Sequence, residues 1–361
     1  MTERTAALID DVPATAVPPA GRFSPRVSVR GLPAGLVRTA RPRQWVKNVL
    51  VLAAPLAAGH LLSAHAVLQL AVVFVLFTGC SAAVYLINDA RDADADRAHP
   101  VKCARPVACG QVPVPIAYAV GGALAILAPA AAGVLCDPDT AGLLAGYVVM
   151  QLAYCVWLKH MLVVDLVIVT TGFLMRAMAG GLALGIDLSR WFLITSGFGA
   201  LFMVAAKRYS ELVLMSRLAE RATAAAPAAP TVGPQPDATD AAAPAPPEGS
   251  ETSDGGAEVG ASRALLGAYT TGYLRFVWQL AAGGAVLAYC LWSMETGASP
   301  NGWLPWRQLS MIPFILSVLR YAVFADAGSA GAPEDVVLRD RALVVIALAW
   351  VVLYVLAAVN R

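Results

Sequence analysis

Residues 85–110 read YLINDARDADADRAHPVKCARPVACG, with acids at Asp89, Asp92, Asp94 and Asp96. If a helix continues through them, Asp89, Asp92 and Asp96 are three and four apart and share one face, spread over about 60° at roughly 100° per residue. Asp94 falls on the other side, about 140° from Asp89. Three carboxylates stacked on one face repel one another and raise each other's pKa unless a cation sits among them. A hard divalent ion meets that need, and magnesium is typically held by one or two carboxylates together with substrate phosphates. Lys102 and Arg105 follow a few residues later, and cations beside metal-binding carboxylates are what a polyanion requires. The chemistry on offer is metal-assisted handling of a phosphorylated substrate. The alternative reading is a solvated acidic loop at a membrane edge.

Composition says what must position these groups. The chain has 361 residues, 58% hydrophobic and 14% charged, far from the mixture of a soluble domain. It reads as an all-α, polytopic membrane protein. Nine stretches are long enough to cross a hydrocarbon core of about 30 Å: 44–62, 66–88, 114–136, 140–158, 162–184, 190–206, 272–293, 306–325 and 341–359. Each is continuously apolar rather than alternating, which favours helices over barrel strands. Residues 1–40 form a polar tail without the apolar core and cleavage site of a secretory signal, so the first span is expected to insert as its own anchor. Residues 219–262 are an Ala/Pro/Gly mixture too poor in large apolar side chains to fold, read as a disordered cytosolic insertion between spans 6 and 7. It divides spans 1–6 (41–218) from spans 7–9 (263–361).

Orientation follows from the basic residues. With the N-terminus in the cytosol, 22 of the 26 Lys and Arg residues lie on the cytosolic side, as the positive-inside rule requires. Arg190, Arg307 and Arg361 fall outside, and Arg176 lies within a span. The protein is thus expected in the plasma membrane with its C-terminus outside. A net charge of +2 gives no sign of a nucleic-acid partner. The six cysteines form no CxxC pair and read as packing residues, with no zinc site indicated.

Polar groups gather at the cytosolic helix ends: Lys47 and Asn48 at span 1, Tyr154 and Lys159 at span 4, Asp165 at span 5, and Lys207, Arg208, Tyr209 and Glu211 after span 6. For single cations the competing reading is a snorkelling anchor, and for the tyrosines an interfacial belt. Arg176 is different. It sits some 13 residues into its span, roughly 20 Å deep at about 1.5 Å per residue, where an ionised group faces a cavity or a partner.

Asn88-Asp89-x-x-Asp92-x-x-x-Asp96, followed by Arg105-Pro106 and Gly110, resembles the first signature of the UbiA-type intramembrane prenyltransferase superfamily. That resemblance implies a nine-helix bundle with its active site at the cytosolic face. Superfamily members carry a second Asp-rich motif between spans 6 and 7, but here the loop begins AAKRYSEL, with Glu211 the nearby acid. The departure argues against the usual prenyl diphosphate donor. The stretches RPRQWVKNVLVLAAPLAAG, QLAYCVWLKH, RAMAGG, LFMVAAKRYSEL, YLRFVWQL and SMIPFILSVLRYAV resemble one branch, the decaprenyl-phosphate phosphoribosyltransferases of cell-wall synthesis.

That resemblance implies a soluble donor, 5-phosphoribosyl diphosphate (PRPP), and a polyprenyl (decaprenyl) phosphate acceptor. Under it, Asp89 and Asp92 hold Mg2+, Asp96 contributes directly or through water, and Asn88 orients the cluster. Lys47, Lys102, Arg105, Arg208 and Lys159 are candidates for the phosphates, and Asn48, Tyr154, Arg176, Lys207 and Glu211 complete the candidate substrate-binding set. Two other readings stay open: an aromatic prenyltransferase of the same superfamily, and a transporter of phosphate compounds. The transporter needs broken helices with polar groups near the bilayer midplane, whereas here, Arg176 apart, they gather at one rim. A homo-oligomer is compatible with each reading.

Overall fold

Caps and prolines set the helix starts. Ser63 takes an extended backbone, and its hydroxyl accepts the Ala66 amide at 3.1 Å, opening a 28-residue helix. Asp137 does the same for the next hairpin, accepting the Thr140 amide at 2.8 Å with Pro138 in the first turn, where its missing N–H costs nothing. The computed structural model describes residues 31–59, 63–99, 101–224, 268–295, 305–331, 336–337 and 339–359, and their regular structure is entirely helical.

In chain order the helices are α1 (Leu32–Thr39), a 3-10 segment (Pro42–Leu52), α2 (Ala53–Ala58), α3 (Ala64–Arg91), α4 (Ala93–Ala98), α5 (Val114–Leu135), α6 (Pro138–Val156), α7 (Val164–Ala183), α8 (Arg190–Ala224), α9 (Thr271–Glu295), α10 (Trp306–Leu309), α11 (Met311–Asp326) and α12 (Arg341–Val359). Short 3-10 turns lie at Lys102–Ala104 and Leu158–His160. Among the described residues, six helical stretches are long and apolar enough to cross a membrane: Ala64–Arg91, Val114–Leu135, Pro138–Val156, Val164–Ala183, Thr271–Met294 and Trp306–Asp326, with Arg341–Ala357 a shorter apolar helix. This is a multi-pass membrane protein.

Two continuous helices expected from the sequence are broken in the structure. The stretch 44–62 is not one α-helix but a 3-10 segment running into α2, which Gly59 ends at φ 76°. The polar tail becomes helical at Leu32, where Pro33 occupies the first turn. The helix expected to continue through the acids breaks at Asp92, which ends α3 and starts α4. Of the expected insertion, residues 219–224 extend α8 and 225–262 lie outside the described residues.

Two buried clusters organise the bundle. One joins Val51, Phe77, Leu144, Tyr147 and Ala179, the other Phe202, Leu274, Trp278 and Tyr321. Close helix approach is made by glycine. A Cβ on Gly180 would stand 2.0 Å from the Val51 carbonyl oxygen, so Gly180→Ala is expected to separate α7 from the 3-10 segment and lower the thermal midpoint of the purified protein. Gly142→Ala, where a Cβ meets nothing within 4 Å, is the matched control. At the far end of the chain, the Tyr354 hydroxyl donates to the Ala57 carbonyl, 297 residues away.

Candidate active site

The break at Asp92 turns α4 and the loop behind it back over the end of α3. Gly110 takes φ 80°, a conformation only glycine adopts without penalty, and the Val112 amide bonds the Pro106 carbonyl at 2.9 Å. This closed loop places Arg105 over the acids. Its Nη1 lies 2.6 Å from Asp96 Oδ2 and 3.4 Å from Asp89 Oδ1. Lys102 Nζ stands 4.0 Å from Asp96. Asp89 and Asp96 are buried, whereas Asp94 is 95% exposed and paired with Arg97.

Arg41, which the sequence reading did not select, joins the cluster. Its Nη2 donates to Asp89 Oδ1 at 2.7 Å, and its guanidinium lies 4.8 Å from the Tyr85 ring centre. Arg41 has φ 54° and ψ 67°, a left-handed backbone that is strained for a residue with a side chain. The signal available in the sequence was the Arg41-Pro42 pair that opens the 3-10 segment.

Asp92 faces another way, with Lys159 Nζ at 3.7 Å. Lys159 stands in the Leu158–His160 turn that follows α6, and Arg91 fastens that helix end by donating to the Cys155 carbonyl. Asn88 is half-buried in the last turn of α3, where its carbonyl accepts the Asp92 amide at 2.9 Å.

A second polar cluster lies across the end of α6. Tyr154 donates to Asp165 Oδ1 at 2.6 Å, and Arg208 Nη2 reaches the same oxygen at 3.2 Å. Arg208 Nη1 contacts Glu211 at 3.2 Å, and Lys207 Nζ contacts it at 3.9 Å. The sequence reading placed Asp165 at a helix end but assigned it no part in the site. Burial acts to lower the Arg208 pKa, but Asp165 and Glu211 outweigh it and hold that pKa above the ordinary arginine value.

Arg176 and Asn48 form a separate buried knot. Arg176 donates to Asn48 Oδ1 at 2.9 Å, the Gly172 carbonyl at 2.7 Å, the Tyr147 hydroxyl at 2.6 Å and Ser81 Oγ at 3.4 Å. Asn48 in turn donates to Thr78 at 3.0 Å. Lys47 Nζ lies 6.0 Å from the Phe173 ring centre, and the Arg176 guanidinium 5.7 Å from the same ring. The candidate residues therefore divide into an acid and arginine cluster, the Asp92–Lys159 pair, the Asp165 cluster and this knot.

Among the described residues, no three His, Cys, Asp or Glu side chains come together as a chelate. Asp89 and Asp96 nevertheless converge on one cationic nitrogen of Arg105. Two hard oxygen donors close enough to share one cation fit magnesium, which takes few protein ligands and completes its octahedron with water and phosphate oxygens.

A model of the UbiA prenyltransferase family matches residues 49–224. The decaprenyl-phosphate phosphoribosyltransferase of Corynebacterium glutamicum is 41% identical over 331 residues, spanning 91% of this chain and 88% of the relative. The protein of that name from Mycobacterium tuberculosis is 45% identical over 324 residues, spanning 89% and 93%. In fold, the chain is similar to a UbiA homolog from Archaeoglobus fulgidus solved bound to GPP and Mg2+, with TM-score 0.59 at 14% identity, covering 91% of this chain and 100% of that one. The chain belongs to the UbiA prenyltransferase family, on the branch of the decaprenyl-phosphate phosphoribosyltransferases.

Proposed function

We propose that the protein transfers the 5-phosphoribosyl group from PRPP to decaprenyl phosphate, releasing diphosphate and giving decaprenylphosphoryl-β-D-ribose 5-phosphate, a precursor of cell-wall arabinan. The observation that carries this reading is similarity over nine-tenths of the chain to two phosphoribosyltransferases acting on that lipid phosphate. The polar end of the bundle supports it, since acids and cations alternate there as a phosphorylated donor requires.

Asp89 and Asp96 would hold Mg2+, with Asp92 next to them on the joint between α3 and α4 and Asn88 supporting the turn. When bound, the ion would neutralise charge on the diphosphate. Arg41, Lys102, Arg105 and Lys159 stand around the acids as partners for the diphosphate oxygens. Fixed positive groups of this kind stabilise the negative charge that grows as the C1–O bond breaks. The acceptor phosphate is already ionised near neutral pH, so its oxygen attacks C1 without a strong general base. Attack opposite to the leaving diphosphate inverts C1, and the developing oxocarbenium character is that of glycosyl transfer. Lys47, Lys207 and Arg208 are the remaining candidates for phosphate contacts.

We read the bundle as nine spans by adding the Pro42–Ala58 segment, the first half of α8 and α12 to the six. The basic-residue asymmetry supports a plasma-membrane protein with a cytosolic N-terminus, an external C-terminus and the polar site on the cytosolic side.

The test is a reconstituted assay that offers PRPP with a polyprenyl phosphate, beside a prenyl diphosphate with an aromatic acceptor. Ribosylated lipid is expected from the first pair alone, and chelating the divalent ion is expected to abolish it. A prenylated aromatic product, or ribosylation that survives chelation, would overturn the donor or the metal assignment respectively.

A further inference from the structure

In the Asp165 cluster two cations close on a single side chain. Lys207 Nζ lies 3.9 Å from Glu211 Oε1, and Arg208 Nη1 lies 3.2 Å from Oε2. One carboxylate therefore has each oxygen against a different cation, the arrangement of an anion bound in a two-cation site. Glu211 reaches these partners from one turn along the same helix, and its side chain is 33% exposed. Contacts of this kind are weak and readily exchanged.

Behind Arg208 the situation is the reverse. Asp165 is 1% exposed, and its Oδ1 takes hydrogen bonds from both Arg208 and Tyr154. Its Oδ2 is buried and has no hydrogen-bond partner among the described residues. A desolvated carboxylate depends heavily on the cation it has. Arg208 thus has one fixed anion on Nη2 and one exchangeable anion on Nη1.

Building on the phosphoribosyl-transfer reading, we propose that Lys207 and Arg208 form a site for a phosphate monoester, that Glu211 occupies this site until a substrate displaces it, and that Asp165 is the positioning residue that aims Arg208. A phosphate dianion brings more charge and more acceptor oxygens than a carboxylate, so it replaces Glu211 when it arrives. The cluster around Asp89, with several fixed acids, suits a diphosphate and its ion. The site with one displaceable acid suits a monoester. The ligand is a terminal phosphate, borne either by C5 of the ribose donor or by the lipid acceptor.

The two acids carry opposite expectations. Glu211→Gln removes a competitor and is expected to lower the KM of one substrate roughly two- to fivefold, the scale of a part-exposed ion pair. Asp165→Asn is expected to raise that same KM at least ~10-fold, with Asp165→Glu restoring most of the loss. The KM that moves identifies the source: the donor's for the 5-phosphate, the acceptor's for the lipid phosphate. Calorimetric binding of ribose 5-phosphate and of farnesyl phosphate to the full-length variants gives the same ordering without turnover. Failure of the wild type to form ribosylated lipid would overturn the transfer reading, while the binding order would still decide this one. A raised KM or collapsed kcat in Glu211→Gln would overturn the proposal, as would parallel shifts in the two variants or no shift in either.

Discussion

Replacing Asp89 with alanine is expected to cut turnover at least ~10²-fold, the usual cost of removing a fixed charge that stabilises a transition state. Asp89 is buried at the centre of its cluster, within 2.7 Å of Arg41 and 3.4 Å of Arg105. Without it Arg41 loses the group that places it, Arg105 keeps only its 2.6 Å contact with Asp96, and the shared carboxylate pair that fits a divalent ion is reduced to Asp96. The fold should survive, because Arg41 and Arg105 keep about a third of their surface in solvent and water can take over the lost contacts. Asp92→Ala is expected to fall in the same range by releasing Lys159. Asp94→Ala should be neutral, since that side chain is 95% exposed and meets Arg97 alone among the ion pairs of the described residues. Turnover measured beside extraction yield and thermal unfolding separates these effects. Near wild-type turnover in both Asp89→Ala and Asp92→Ala would remove the proposed role of the acids.

Replacing Arg176 with methionine is expected to destabilise the protein by ~3 kcal/mol or more, because several buried acceptors lose their donor together. The guanidinium ties the 3-10 segment through Asn48, α3 through Ser81, α6 through Tyr147 and its own preceding turn through Gly172. It also lies against the rings of Phe77 and Tyr147, at 5.1 and 4.9 Å from their centres. Methionine fills similar length but offers no N–H group. Arg176→Lys keeps the charge, yet one ammonium cannot span the partners of a planar fork, so an intermediate loss is expected. The measurement is the unfolding midpoint of the detergent-solubilised protein. A stable Arg176→Met protein with weakened substrate binding would instead favour the direct substrate contact that the sequence suggested for this residue.

The apolar periods were readable because membrane spans need long unbroken hydrophobic runs, and α3, α5, α6 and α7 begin and end near the positions expected. The Asp89 spacing likewise placed Asp94 outward, as the structure has it. The parts that could not be read depended on backbone breaks and on contacts between distant residues. A helix continued through Asp92 keeps three acids in register. The break there sends Asp92 toward Lys159 while Asp89 and Asp96 share Arg105. Arg41 looked like one of seven basic residues before span 1, and a left-handed backbone angle is what brings it to Asp89. Asp165 was visible as a helix-end acid, but its partner Arg208 is 43 residues away, and no local pattern joins them. Depth marked Arg176 as a group that faces a cavity or a partner, but not which partners, since its acceptors lie as far as 128 residues away in sequence.

The link from Tyr354 to Ala57 bears on biogenesis. The ribosome delivers the chain from its N-terminus, so Arg41 and Asn48 can find α3 and α7 early, whereas the Ala57 carbonyl in α2 must wait for its partner until α12 has been synthesised. A premature stop ahead of Tyr354 would leave every earlier span in place, yet it would take away the fastening of α2. Such truncated chains should be cleared by quality-control proteases rather than persist as partly active enzyme.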